Sequence, residues 1–386
     1  LLTILKNVDV YAPEAIGLHN VLLGGATILL LQQAEIVADA EVIDCAGRRL
    51  LPGFIDAHTH ITGGGGESGF STRVPAPFLS QFTSAGVTSV VGVLGTDDTT
   101  RDTRSLVAQA YALREYGLGA WCHTGGYHVP ATTLTGSIRD DIVFLEPVIG
   151  VGELAISDHR SSQPTFEEIL RIAADTHVAG LITGKAGIVH LHLGDGTRGL
   201  DLVHRALDES EIPARVFNPT HVNRRKQLFD EAVQLAFRGS SIDITAFPVA
   251  EDEDAWPADV ALMRYLDAGG PANKITISSD GGGCLPEFDA DGRMTKMEVG
   301  HSAALMETLK NLLEQGVPLE MILPAVTSNV AELLRFHHRG RIAVGCRADL
   351  VLLDEKHQIE SVMVGGAWHV RDGRQQIIDN FETNHF

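Results

Sequence analysis

The chain has 386 residues, of which 30 are basic and 50 acidic, a formal net charge of −20 at neutral pH. So acidic a surface repels phosphate backbones and anionic lipid, which excludes nucleic acid and membranes as expected partners. Hydrophobic residues at 44% and charged residues at 21% are the composition of a folded, water-soluble protein, and the length admits one large α/β barrel with additions.

The chain opens in short strands. Residues 20–23, Gly24-Gly25 and residues 26–31 predict a hairpin turned at the Gly-Gly pair. The apolar run 21–31 is broken by that pair, is too short to span a bilayer, and has no basic leader before it. The far end has the same character. Residues 348–354 read as a strand, and residues 361–364, Gly365-Gly366 and 367–370 as a second hairpin. Two strand-rich ends predict one small β-sandwich domain built from both termini, residues 1–52 with 342–386.

Between them, residues 53–341 alternate. Short apolar runs at 50–57, 88–94, 119–123, 148–156, 187–193, 214–221, 241–247 and 275–279 read as buried parallel strands. Helical patterns such as 166–178, 199–210 and 224–238 lie between them. Eight such runs is the closing number of a (β/α)8 TIM barrel. An open doubly wound sheet is the other candidate, but it needs a phosphate-binding turn after its first strand, and Gly63-Gly64-Gly65-Gly66 is not GxGxxG.

In a barrel the working residues sit at the C-terminal ends of strands. Those ends carry His58-Thr59-His60, Glu153, His192, His221 and Asp280. Alternate residues of an extended segment point the same way, so His58 and His60 can face one point. Each residue alone has a plainer reading: a satisfied core histidine, a buried ion-pair partner for Glu153, or the start of a turn for Asp280. Together on one barrel rim they predict a metal site, and imidazole with carboxylate suits zinc or a similar ion. The cysteines, Cys45, Cys122, Cys284 and Cys346, form no CxxC pair, which fits a reducing, cytoplasmic setting.

Longer motifs add a resemblance. Pro52-Gly-Phe-Ile-Asp-Ala-His58-Thr-His60 and Gly345-Cys-Arg-Ala-Asp-Leu-Val-Leu-Leu-Asp354 resemble the amidohydrolase superfamily. Gly63–Glu67, Gly95-Thr96-Asp97, Thr124-Gly-Gly-Tyr127, Ala155–Arg160, Pro219–Arg224 and Ile242–Thr245 resemble its isoaspartyl dipeptidase branch over essentially the whole chain. The resemblance implies two zinc ions per subunit, one on His58, His60 and Asp280, the other on His192 and His221. The family's bridge is usually a carboxylated lysine. Glu153 stands at that position, with its own carboxylate on a shorter side chain, so a Glu bridge is expected, with single occupancy as the alternative. The nearby Lys185 precedes its strand and is expected at the wrong end of the barrel.

The resemblance also implies roles. Asp280 would act as general base and then acid, and Tyr127 would steady the oxyanion. Glu67, with Thr96, would hold the α-amine of a small dipeptide substrate, and Arg160 and Arg224 its carboxylates. Cys284 replaces a substrate-binding serine, and a thiol is the weaker donor. A homo-oligomer, an octamer, is implied by the resemblance alone. Other amidohydrolases, such as cyclic-amide hydrolases or N-acyl amino acid deacylases, are the alternative activities. A non-catalytic barrel scaffold is the alternative outside enzymes.

Overall fold

The structure, a computed structural model, describes residues 2–288 and 294–383. The chain enters through β1 (Leu2–Tyr11), β2 (Ala15–Gly24), β3 (Thr27–Gln32), β4 (Glu41–Asp44) and β5 (Arg49–Pro52). The parallel strands follow: β6 (Phe54–Thr59), β7 (Val87–Gly92), β8 (Gly119–Thr124), β9 (Val148–Ser157), β10 (Ile188–Leu193), β11 (Phe217–Thr220), β12 (Ile242–Thr245) and β13 (Ile275–Ser278). A hairpin of β14 (Cys284–Phe288) and β15 (Met294–Val299) comes next. The chain then returns through β16 (Leu350–Leu353), β17 (Ile359–Val364), β18 (Ala367–Arg371) and β19 (Arg374–Gln375).

The two ends meet as expected. Antiparallel pairing of β16 with β5, and parallel pairing of β5 with β1, joins first and last strands into one nine-stranded mixed sheet. It folds around its own core, which includes Leu5, Val10, Val21, Leu50, Leu350 and Met363. Both Gly-Gly hairpins form, β2 with β3 and β17 with β18.

β6 to β11 pair in order as a six-stranded curled parallel sheet, and β12 pairs with β13. The ladder stops at two seams, between β11 and β12 and between β13 and β6, and buried carboxylates cross both. At the first, Asp243 accepts hydrogen bonds from Thr220 Oγ1 (2.7 Å), Thr276 Oγ1 (2.6 Å) and Ser278 Oγ (2.5 Å). At the second, Asp56 on β6 accepts from the Ser279 amide (3.1 Å) and the Ser279 hydroxyl, and His60 N donates to Gly281 O (2.8 Å). Burial pushes the Asp56 carboxyl up to about 6, against the hydrogen bonds that favour its charge.

The sequence reading of 50–57 as one strand needs correction. It is two strands in two sheets, β5 and β6, separated at Gly53, where a Cβ would lie 2.3 Å from Thr88 Oγ1. The β14–β15 hairpin had no sequence signal of its own. The helices follow their patterns. Helix Phe166–Thr183 starts at a Thr165/Glu168 capping box and stops at left-handed Gly184. Its Ile169, Ile172 and Ala173 pack in one core with Val189, Leu191 and Leu193 of β10. Alternation then turns His190 and His192 to the other face of that strand.

Candidate metal centre and active site

His58, Glu153, His192, His221 and Asp280 come together, buried, at one end of the barrel, with His60 just beyond β6. Strand irregularities aim them. Across β9 and β10 the register runs Val151↔Val189 and then Leu154↔Leu191. β9 therefore carries one extra residue around Gly152-Glu153, and such a bulge re-aims a side chain. Gly152 is required there. Its φ is 153°, and a Cβ would lie 2.6 Å from His190 O. β6 is irregular in the same way, between Asp56 and Thr59, where His58 lies. His221 and Asp280 follow β11 and β13 with left-handed φ of 60° and 54°. That conformation costs a non-glycine residue about 1–2 kcal/mol. His221 is tied down by Nδ1 at 2.7 Å from Thr245 Oγ1, and Asp280 Oδ1 lies 3.0 Å from His60 Nε2 without hydrogen-bond geometry.

Glu153 divides the histidines into two pairs. Its Oε1 lies 3.6 Å from Nε2 of both His58 and His60. Its Oε2 lies 3.1 Å from His192 Nδ1 and 3.4 Å from His221 Nε2. The bulged strand thus supplies the reach that a shorter side chain lacks. Asp280 Oδ1 completes the first group, 3.5 Å from His58 Nε2.

These residues fit metal ions. Among the described residues His58 Nε2 and Asp280 Oδ1 are buried and make no hydrogen bond, which is costly for polar atoms unless an ion takes them up. Candidate ligand atoms of His58, His60 and Asp280 cluster within 4.8 Å, as do those of His58, Glu153 and His221. Electrostatics agree. Burial opposes charge on His58, yet Glu153 and Asp280 outweigh it and push the ring up to about 9. Burial also opposes charge on Glu153, but His58, His192 and His221 hold it well below the usual carboxylate range. The cluster therefore attracts positive charge, and Glu153 between two imidazole pairs, with Asp280 beside the first, is a donor set that suits a binuclear centre.

Several residues of the cluster were not singled out from sequence. His190 Nε2 lies 2.7 Å from His58 Nδ1, and its Nδ1 lies 2.7 Å from Asn218 Oδ1. Asn218 in turn donates to Ser241 O (2.9 Å). This chain fixes the His58 ring so that Nε2 faces inward. The signal was present, since His190-Leu191-His192 repeats the alternation of His58-Thr59-His60. His123 stacks on His190 with centroids 5.3 Å apart, and burial holds it down at about 3, so it is neutral. Asp158 is buried, with Oδ2 2.9 Å from His192 Nε2, and it accepts two hydrogen bonds from the Arg160 guanidinium. Arg101 is also buried. It donates to the carbonyls of Thr62, Gly64, Gly65 and Val74, and so clamps the glycine loop that leads to Glu67.

The remaining predicted residues line the same cavity: Glu67, Thr96, Tyr127, Arg160, Arg224 and Cys284. Tyr127 Oη lies 2.9 Å from His192 Nδ1. Glu67 Oε1 accepts from Arg160 Nη1 (3.2 Å), and Glu67 Oε2 is buried with no hydrogen bond among the described residues. Arg224 lies over the Phe247 ring, 6.0 Å from its centroid, with no carboxylate in ion-pair range among the described residues. Lys185 is far from this cluster. Its Nζ donates to the carbonyls of Ile142, Leu145 and Val148 at 2.6–3.0 Å, below the start of β10.

The amidohydrolase family model matches residues 49–369, and the chain belongs to that family, as a metal-dependent hydrolase with a buried His/Glu/Asp centre. Within that class, it is similar to the beta-aspartyl dipeptidase of Fervidobacterium islandicum, solved in complex with beta-Asp-Leu dipeptide. The two are 42% identical, with a TM-score of 0.94 and 99% of each chain covered. Curated relatives are more distant. An adenine deaminase of Rhizobium johnstonii is 25% identical over 92% of this chain and 54% of its own length. A deacetylase of Agrobacterium fabrum is 25% identical over 92% of this chain and 83% of its own. The chain spans about half the length of the curated adenine deaminases it matches. Among the described residues, no helix is long and apolar enough to cross a membrane.

Proposed function

We propose that this chain hydrolyses the beta-aspartyl peptide bond of small dipeptides. The observation that carries the reading is one cavity in which the metal centre faces Glu67, Arg160 and Arg224. A beta-aspartyl dipeptide presents a free α-amine and two carboxylates. One anion and two guanidiniums match that pattern, and guanidinium grips carboxylate in bidentate fashion. The buried, unpaired Glu67 Oε2 suits the ammonium group, with Thr96 beside it. Similarity to a beta-aspartyl dipeptidase over 99% of the chain supports the same reading.

Zinc is the proposed metal, held by His58, His60 and Asp280 on one side and His192 and His221 on the other, with Glu153 between. When bound, such ions would lower the pKa of a water and polarise the scissile carbonyl. The chain's own groups do the rest. Asp280 takes the water's proton at a carboxylate oxygen and delivers it to the leaving amine. The Tyr127 hydroxyl donates to the carbonyl oxygen as it gains charge. Asp158 orients the His192 ring through Nε2, which leaves Nδ1, on the Glu153 side, for the ion. A neighbouring groove shares Arg160 and Arg224 and is walled by Phe247, Pro248, Val249 and Leu285. It suits the side chain of the dipeptide's second residue.

Zinc-loaded enzyme should cleave beta-Asp-Leu and leave alpha-Asp-Leu and dihydroorotate intact, as read by amine release and ring opening. Turnover of the cyclic amide without turnover of beta-Asp-Leu would sink this reading in favour of a cyclic-amide hydrolase.

A further inference from the structure

The opposite face of the barrel carries a second charged cavity. Its walls come from the N-terminal ends of strands. Ala186 and Ile188 lie at the start of β10, Arg215 just before β11, Ser241 just before β12 and Lys274 just before β13. Arg335, which ends helix Ser328–Leu334, closes one side. In a chain of net charge −20, three cations therefore meet at one small hollow. Among the described residues, none of the three has a carboxylate within ion-pair range. Arg335 donates to the carbonyls of Gly180 (3.3 Å) and Lys185 (3.0 Å), which hold it in place without neutralising it. Arg215 Nη2 lies 3.4 Å from His177 Nδ1. Burial first, then Arg335, lowers the Arg215 guanidinium, so the two charges repel each other across the cavity. One carboxylate, Glu332, lines the cavity, and it accepts from Asn273 Nδ2 at 3.2 Å.

Like charges held together with too little counter-charge are a cost in folding that a bound anion removes. Three cations and one carboxylate leave a local sum of +2. The cavity measures about 120 Å³. That is well below the roughly 300–1,000 Å³ that takes a drug-sized ligand, so a nucleotide or peptide does not fit. We propose that this cavity binds a small dianionic oxyanion: inorganic phosphate, or the phosphate group of a small phosphomonoester. Guanidinium is the side chain best shaped for its oxygens.

The test is thermal unfolding of the metal-loaded enzyme against inorganic phosphate, glycerol 3-phosphate and glycerol, with affinities read from the Tm shift. Either phosphate compound should raise Tm saturably, and glycerol should not. The tighter of the two identifies the source. Lys274→Gln and Arg215→Gln should each weaken binding about tenfold, the loss of one charged hydrogen bond. Glu332→Gln should tighten it. The opposite sign of that variant keeps the test valid if an arginine variant is unstable. Absence of a saturable shift overturns the proposal. So does phosphate that competes with dipeptide and keeps its affinity in Lys274→Gln, because it would then sit at the metal centre.

Discussion

The catalytic cavity has two halves that are built differently. The metal half stands on strands. Its ligand candidates are buried, sit at bulges or left-handed turns, and are braced from behind, as His190 braces His58 and Thr245 braces His221. The half proposed to face substrate stands on loops. Its charged groups are satisfied partly by one another, Arg160 by Asp158 and Glu67. The lesson is one of cost. The metal half is organised before anything binds, and strain there is offset by a fixed framework. On the proposed reading, the loop half trades an internal ion pair for substrate contacts, and part of its binding energy goes to that exchange.

Mutations that break the metal half should have the largest effect. Glu153→Ala removes the carboxylate between the two histidine pairs. It should abolish measurable turnover and lower zinc content per chain, by metal analysis of the purified protein. Tyr127→Phe comes next. If its hydroxyl is the proposed oxyanion donor, its loss should cost about 10²–10³ in kcat, with KM little changed. Burial first, and then the Glu153 charge, raises this phenol well above 10. A raised pKa keeps the hydroxyl neutral and donating as pH rises. Tyr127 should therefore add no alkaline limb to the kcat profile below about pH 10.

The loop half should respond more mildly. Among the described residues Arg224 has no carboxylate partner, so Arg224→Gln strands no buried charge. It should cost roughly 1.5–3 kcal/mol in kcat/KM, carried mainly by KM. The smallest effect belongs to Cys284→Ser. Burial, then Glu67, pushes the Cys284 thiol up to about 12. It stays a thiol at neutral pH, so iodoacetamide should modify it slowly. The serine variant should change KM by a few-fold at most.

The same division decided what was legible in the sequence. Strand ends repeat with the barrel, so His58, His60, Glu153, His192, His221 and Asp280 could be placed by counting apolar runs. His190 obeyed the same alternation and was still overlooked. Asp56 and Asp243 were hidden for another reason, because no local pattern marks where a ladder stops and a side chain takes over. Likewise, nothing near Arg101 in the sequence tells of its four carbonyl partners, which lie 27 to 39 positions away. The terminal strands were readable as hairpins. The split of 50–57 between two sheets was not, since an apolar run looks the same whether one sheet or two will bury it.

The central claim is a Glu153-bridged binuclear centre that hydrolyses beta-aspartyl dipeptides. Zinc content and beta-Asp-Leu turnover, measured together in buffer stripped of carbon dioxide and then with bicarbonate added, test it most directly. The account predicts two zinc ions per chain and the same turnover in both buffers, because glutamate brings its own carboxylate. One ion or none per chain, or turnover that needs bicarbonate, would contradict it.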